Sequence, residues 1–278
     1  MTKRLSSAVK IDDELTLHVE SAGTAKHAVM LVPGWTMTSE VFSRQLSYFE
    51  DHPDYRFVTY DPRSHGRSAD TPGGHHYEQH GRDLHALVET LGLDDFVLGG
   101  WSFGVLDVLS YVDQFGTDKL SGLIMLDGSP KSRGTDNTKE WVSYRYDDAD
   151  AREEFFTMGP LRDRAGTNEE FAKWMLEETS GVNMEWVAGI TNQTRDEVAA
   201  LLNAAGAFLD YSDLLVELND VVPLLYVVSE AVKAPVQRWS RQNTPKAQVI
   251  ALGKHLMFWE RAAEFNAELE QFLESIHH

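Results

Sequence analysis

Short apolar runs alternate with amphipathic stretches along most of the chain. In residues 77–91, Leu84, Leu87 and Leu91 recur at the spacing of one helix face. Further helices are predicted from residue 39, over 105–115 and over 261–273. Residues 9–11 and 15–19 form an opening hairpin, and buried strands are predicted at 28–32, 56–60, 95–99, 123–126, 223–228 and 248–252. This alternation predicts a mostly parallel sheet with helices on both faces.

The pattern changes between residues 131 and 220. This stretch contains no convincing strand and is typical of several helices rich in acidic and large aromatic residues. Because it begins after one sheet strand and ends before the next, it should lie beyond the carboxyl ends of the strands, where open α/β sheets bind ligands. We therefore predict a core of residues 1–130 and 221–278, and a helical lid of residues 131–220. The lid aromatics are Trp141, Tyr144, Tyr146, Phe155, Phe156, Phe171, Trp174, Trp186, Phe208 and Tyr211.

Composition excludes several classes of function. The chain has 278 residues, enough for one large core with an inserted subdomain, and a formal net charge of -19. That acidity disfavours a nucleic-acid partner. It is typical of a highly soluble surface, and we favour this interpretation over a surface that steers a cationic substrate. The absence of cysteine excludes disulfides, thiolate metal sites and a cysteine nucleophile.

The expected setting is the cytoplasm. No apolar run approaches the roughly 20 residues of a membrane span, and no apolar segment follows Lys3 and Arg4 as it would in a signal peptide. We expect a small-molecule substrate, no membrane partner, and neither a cofactor nor a metal. The pattern does not predict an oligomeric state.

The strongest chemical signal is the segment Gly100-Trp101-Ser102-Phe103-Gly104. Gly-x-Ser-x-Gly alone is a weak motif, but here a predicted strand precedes it and a predicted helix follows it. The glycines allow a tight strand-to-helix turn that exposes the serine oxygen. We predict that Ser102 is a nucleophile.

A serine nucleophile needs a base, and His255 is the candidate. It lies in Gly253-Lys254-His255, between the last predicted strand and the last helix. The other central histidines fit this role less well. We expect His65 to have a structural role in a turn. The surface, in contact with solvent, is the expected place of His75, His76, His80 and His85.

Two carboxylates could orient His255. The loop after the post-lid strand contains no aspartate but does contain Glu230, and Asp127 ends the strand before the lid. Both strand ends lie at the same edge of the predicted sheet as Ser102. We favour Asp127 over Glu230, because an unpaired carboxylate at the end of an apolar strand would be costly.

The oxyanion formed during acyl transfer needs two backbone N–H donors. Phe103, which follows the nucleophile, is the first candidate, and Trp35 in Pro33-Gly34-Trp35 is the second. The rings of Trp35 and Trp101 are then candidate walls of the substrate pocket.

Together these motifs resemble the α/β-hydrolase superfamily, in the branch of lid-bearing esterases and non-haem chloroperoxidase-like hydrolases. The resemblance covers nearly the whole core and rests on Val32-Pro33-Gly34-Trp35, Asp61-Pro62-Arg63-Ser64-His65-Gly66-Arg67-Ser68, Gly100-Trp101-Ser102-Phe103-Gly104 and Gly253-Lys254-His255. It implies an α/β-hydrolase fold, with Ser102 as nucleophile, His255 as base, and oxyanion donors at Trp35 and Phe103. The missing aspartate after the post-lid strand is a departure. Asp127 matches members that take their acid from the strand before the lid.

The resemblance implies a serine hydrolase acting on a carboxylic ester or lactone with an apolar group. Two alternatives stay open. The first is a cofactor-free dioxygenase of 3-hydroxy-4-quinolones that uses His255 and Asp127, and the second is a non-enzymatic small-molecule receptor on the same fold. Haloalkane dehalogenases are excluded, since they need an aspartate where Ser102 stands.

Overall fold

The computed structural model describes residues 4–136, 139–145 and 147–277. Tyr146 and the first three residues of the N-terminal segment, which entered the predictions above, lie outside these ranges. The described strands are β1 (Arg4–Lys10), β2 (Thr16–Ala22), β3 (His27–Val32), β4 (Tyr55–Tyr60), β5 (Phe96–Trp101), β6 (Leu120–Leu126), β7 (Lys131–Arg133), β8 (Val142–Tyr144), β9 (Leu224–Val228) and β10 (Gln248–Ala251).

The described helices begin with a 3-10 turn at Ser39–Phe42. They continue with α1 (Ser43–Phe49), α2 (Tyr77–Leu91), α3 (Gly104–Phe115), α4 (Ala149–Arg162), α5 (Arg164–Met175), α6 (Gly181–Thr191), α7 (Asp196–Gly206), α8 (Ser212–Leu218), α9 (Lys233–Asn243), α10 (Met257–Glu260) and α11 (Ala262–His277). In the part of the chain the structure describes, no helix is both long and apolar enough to cross a bilayer.

Eight strands form one sheet in the order β1-β2-β4-β3-β5-β6-β9-β10. The predicted opening hairpin is present, as β1 pairs antiparallel with β2, and β2 pairs antiparallel with β4. The other six strands, which lie in the order β4-β3-β5-β6-β9-β10 across the sheet, are parallel to one another. All the parallel strands therefore end at one edge, where the chain turns into loops that can carry a site.

Alternating side chains of the central strands pack into two apolar layers. In β5, Val97 packs with α1 and α11 on one face, whereas Phe96 and Leu98 pack with α2 and α3 on the other. Every residue of β5 is buried. A strand with both faces covered has the continuous apolar sequence that predicted it.

Residues 127–223, which we call the insertion, join β6 to β9. They contain helices α4 to α8, as expected of a helical segment. The prediction that residues 131–220 contain no strand was wrong. The short strands β7 and β8 pair with each other in parallel. Each has three residues and pairs outside the main sheet, so neither produces the apolar run by which a core strand is predicted.

A second correction concerns the chain after β9. A loop was predicted after the post-lid strand, but helix α9, which was not predicted, begins at Lys233 and buries Val236 and Trp239 against the sheet. Pro235 falls in the first turn of this helix, where its missing N–H costs nothing.

Candidate active site

Ser102 lies in the turn between β5 and α3, at the carboxyl edge of the sheet. Its backbone has φ 56°, a left-handed conformation that a residue with a side chain adopts only at a cost. A Cβ on Gly100 would lie 2.3 Å from the Gly104 carbonyl oxygen, and one on Gly104 would lie 2.5 Å from that of Pro33. Only glycine fits such backbone contacts, and the turn presents Ser102 to the cavity described below.

His255 and Asp127 form a short hydrogen bond. Nδ1 of His255 donates to Oδ2 of Asp127 at 2.7 Å, and the amide of Ser229 donates to the other carboxylate oxygen, also at 2.7 Å. Both side chains are buried. Because a carboxylate can only accept, the proton of a neutral imidazole sits on Nδ1, and Nε2 is left as an acceptor.

Nε2 of His255 is buried and has no hydrogen-bond partner within the described ranges. An unsatisfied buried nitrogen is costly and calls for an explanation. Ser102, Asp127 and His255 line one cavity. The imidazole therefore presents a free acceptor to the same space as the serine hydroxyl.

Glu230, the alternative acid, lies apart from His255. Its side chain is 57% exposed and pairs with Lys233 on α9, with 3.5 Å between Nζ and Oε2. Its backbone N–H donates to the Gly253 carbonyl, in the loop that carries His255, at 3.0 Å. The structure thus brings Asp127, and not Glu230, to the imidazole.

The two candidate oxyanion donors flank the serine. Trp35 and Phe103 both line the cavity with Ser102. The loop before Trp35 is close to Ser102, because a Cβ on Gly34 would lie 2.9 Å from Cβ of Ser102. In the described turns, loops and caps, neither amide donates to a backbone carbonyl. Both N–H groups are thus available to a ligand.

Comparison with known proteins identifies the same fold. The family model for the alpha/beta hydrolase fold matches residues 27–164. The chain has the α/β-hydrolase fold. A Synechocystis sp. protein provisionally named a non-heme chloroperoxidase is 24% identical over 278 aligned residues, covering 94% of this chain and 95% of that one. The bifunctional esterase/perhydrolase of Acinetobacter calcoaceticus is 31% identical over 97 residues, or 35% of each chain.

A solved structure supports the same fold. The crystal structure of a bromoperoxidase from Bacillus anthracis superposes with a TM-score of 0.84 at 24% identity, covering 97% of this chain and 100% of that one. These similarities support the predicted branch of this α/β-hydrolase, that of esterases and non-haem chloroperoxidase-like hydrolases.

The cavity of this α/β-hydrolase encloses about 160 Å³ between the sheet edge and the insertion. Its apolar walls include Trp35, Phe156, Phe171 and Trp174. The Trp35 ring meets Phe156 and Phe171 edge-on, each at 5.2 Å between centroids, and its Nε1 donates to the Ala199 carbonyl on α7 at 2.7 Å. Trp35 is thus both a wall of the cavity and a contact that holds the insertion against the core.

Trp101 is not a wall of this cavity, so that prediction was wrong. Its side chain is fully buried, and its Nε1 donates to the His255 carbonyl at 2.8 Å. The ring turns away from the opening and lies beneath the histidine loop, where it also meets Phe258 edge-on. Its contact is with the candidate base and not with the cavity.

Polar groups in the cavity come mostly from the insertion. The Tyr144 hydroxyl donates to Asn203, and burial raises the pKa of Tyr144, so this hydroxyl stays protonated at neutral pH. Arg152 also lines the cavity and pairs with Asp148 at 2.8 Å. Tyr144 was predicted only as a lid aromatic, and Arg152 and Asn203 were missed because polar positions in a helix usually indicate a solvated face.

Two histidines expected on the surface are buried, so that expectation was wrong. His75 accepts from or donates to the Ser64 hydroxyl at 3.1 Å, and Nδ1 of His80 lies 3.0 Å from Asp107. His65 is also buried, and its Nδ1 donates to the Arg63 carbonyl at 2.8 Å, which fits the expected turn residue. Burial lowers the pKa of His65 from 6.5 to about 3. Among the described residues, no cluster of three His, Asp or Glu side chains could hold a metal ion.

Proposed function

We propose that the protein is a serine hydrolase that cleaves a carboxylic ester or lactone through an acyl-enzyme on Ser102. One observation carries this proposal. Asp127 fixes the imidazole of His255 through Nδ1, while Nε2 stays buried and unpartnered at the cavity lined by Ser102. A base held by a carboxylate, at the same cavity as a serine, is the arrangement that nucleophilic acyl transfer requires.

In the proposed reaction, Nε2 of His255 takes the proton of the Ser102 hydroxyl as Oγ attacks the carbonyl carbon. The oxyanion accepts hydrogen bonds from the amides of Trp35 and Phe103. The imidazolium, stabilised by Asp127, then gives its proton to the leaving alkoxide, and the acyl-enzyme remains. Water repeats the sequence and releases the acid.

The cavity supports an ester with an apolar group. Seven of the residues that line it are aromatic, and its volume of about 160 Å³ leaves room for a small acyl or alkoxy group. Polar groups such as the Tyr144–Asn203 pair stand at separate points, where they can orient a carbonyl or an alcohol oxygen.

Treatment with a fluorophosphonate, followed by intact-mass measurement, tests the nucleophile. We expect a single adduct on the native protein and none on Ser102→Ala. Hydrolysis of a panel of short p-nitrophenyl esters and lactones by the native protein, lost in Ser102→Ala, completes the test. Absence of both the adduct and any turnover overturns the proposal.

The name of the Acinetobacter calcoaceticus relative favours a second reaction at the same site. Hydrogen peroxide in place of water would attack the acyl-enzyme, break the bond to Ser102 and release a peracid. The chemistry of the serine is unchanged, and only the second nucleophile differs. Peracid formation from an ester and hydrogen peroxide, absent in Ser102→Ala, supports this activity, and ester hydrolysis without peracid excludes it.

A further inference from the structure

The imidazole of His255 lies between two indole rings. Trp101, from the turn that carries the nucleophile, has its centroid 5.1 Å from that of the imidazole, at an interplanar angle of 43°. Trp174, near the end of α5 in the insertion, approaches from the cavity side at 4.2 Å and 44°. The core therefore supplies one ring and the insertion supplies the other.

Hydrogen bonds tie the end of α5 to the histidine loop. Nζ of Lys254, the residue before His255, donates to the Leu176 carbonyl at 2.8 Å. The amide of Leu256, the residue after it, donates to the Met175 carbonyl at 3.4 Å. A lysine suits this place, since carbonyls at the end of a helix are unsatisfied and carry partial negative charge. Both neighbours of His255 thus contact the helix that carries Trp174.

A second set of contacts continues the same junction. The Glu260 carboxylate accepts from the amides of Glu177 and Glu178 at 2.9 to 3.0 Å, and Arg261 pairs with the Glu177 carboxylate at 2.8 Å. These ties fix α5 relative to the loop between β10 and α11. The position of Trp174 over His255 is therefore built into the fold.

We propose that Trp174 is a positioning residue that stabilises the imidazolium form of His255 during the reaction. The faces of an indole attract a cation within about 6 Å, most strongly where water is excluded. His255 is 4% exposed, so few waters can solvate its charge when Nε2 takes the serine proton. This inference rests on the proposed function of His255 as base.

Other charged groups near His255 remain the same when only Trp174 changes. Asp127 contacts the imidazole directly, and Arg152 lines the same cavity. The loop and the end of α5 contribute Lys254, Glu177, Glu260 and Arg261, all engaged in the contacts given above. Since a substitution at Trp174 leaves these six groups in place, a shift in pH dependence reports on the indole.

The test compares Trp174→Leu with Trp174→Phe, and uses Phe156→Leu as a control. Leucine keeps an apolar cover but removes the aromatic face, phenylalanine retains a face, and Phe156 lines the cavity without a ring contact to His255. Trp174 is 44% exposed, so both variants should fold. In Trp174→Leu we expect kcat/KM for a p-nitrophenyl ester to fall about 2- to 30-fold.

The acid limb of the kcat/KM profile is the decisive measurement. It should move to lower pH by about 0.4 to 1.5 units in Trp174→Leu, because the imidazolium loses its stabilisation. In Trp174→Phe, which keeps an aromatic face, the limb should stay close to its position in the native protein. Phe156→Leu should change KM and leave the limb in place. An unmoved limb in Trp174→Leu, with a change in KM alone, overturns the proposal.

An NMR titration separates this inference from the proposed function. With ring-labelled histidine, the His255 signal is identified by its loss in His255→Gln, and its titration needs no substrate. If the native protein hydrolyses no ester, a titration at lower pH in Trp174→Leu than in the native protein still supports the contact. An identical titration in the two proteins overturns the inference on its own.

Discussion

At the scale of single residues, backbone strain concentrates around the candidate site. Thr36, Ser102 and Asp127 have φ values of 59°, 56° and 41°, and they account for three of the five non-glycine residues with positive φ in the described ranges. Each such residue costs of order 1–3 kcal/mol. Thr36 follows the oxyanion candidate Trp35, so the cost falls on the candidate nucleophile, the candidate acid and the candidate oxyanion loop.

The side chain of Asp127 gives the sharpest residue-scale prediction. In Asp127→Asn the imidazole loses the carboxylate that fixes its tautomer and stabilises its charge, so kcat/KM for esters should fall on the order of 10³- to 10⁴-fold. Glu230→Gln is the matched control, because the exposed Glu230 carboxylate forms its described ion pair with Lys233 and not with His255. Its kcat/KM should stay close to the native value. Ester kinetics on both variants checks this, and the reverse pattern would assign the acid to Glu230.

At the scale of elements, the periodicity of apolar residues predicts those helices and strands that bury a regular face in the core. Helix α2 begins and ends at the predicted residues, and β3, β4 and β9 lie within one residue of their predictions. The failures are elements whose pairing is local or irregular. Strands β7 and β8 have three residues each, and α9 was hidden behind Pro235, which usually indicates a loop.

The candidate site also has features that the sequence predicts and features that it does not. The spacing of Gly100, Ser102 and Gly104, and the position of His255 after the last strand, are local features that a sequence displays. The contact between Trp174 and His255 is not such a feature, because a tryptophan on a helix of the insertion also fits simple packing. Trp101 was misplaced for a related reason, since the sequence does not reveal which way the last side chain of β5 points.

The close contact between β3 and α3 gives the prediction at this scale. In Gly104→Ala the new methyl would lie 2.5 Å from the Pro33 carbonyl and 2.6 Å from that of Val32. Backbone must move, so we expect a loss of about 1–3 kcal/mol in the free energy of unfolding. Gly189→Ala, on a helix surface with no atom within 4 Å of the new Cβ, should instead gain about 0.5–1 kcal/mol. Urea denaturation of both variants checks the contrast, and equal effects would contradict it.

At the scale of the whole molecule, two groups of ionisable side chains oppose each other as the pH falls. The formal net charge of -19 at neutral pH means that protonation of surface carboxylates relieves repulsion. The buried histidines act in the other direction, because burial lowers the pKa of His65 and of His75. The pH dependence of stability is the sum of both effects, and only a substitution can separate them.

His65 allows that separation. Its pKa falls from 6.5 in the unfolded chain to about 3 in the fold, so between these values the unfolded chain binds a proton that the folded protein does not. Stability is therefore lost as the pH falls through this window, by about 2 kcal/mol between pH 7 and pH 5. His65→Gln removes this contribution and leaves the carboxylates unchanged. Urea denaturation at both pH values should show a smaller loss in His65→Gln than in the native protein, by about that amount. Equal losses would mean that His65 is protonated in the fold, against its burial in the turn that joins β4 to α2.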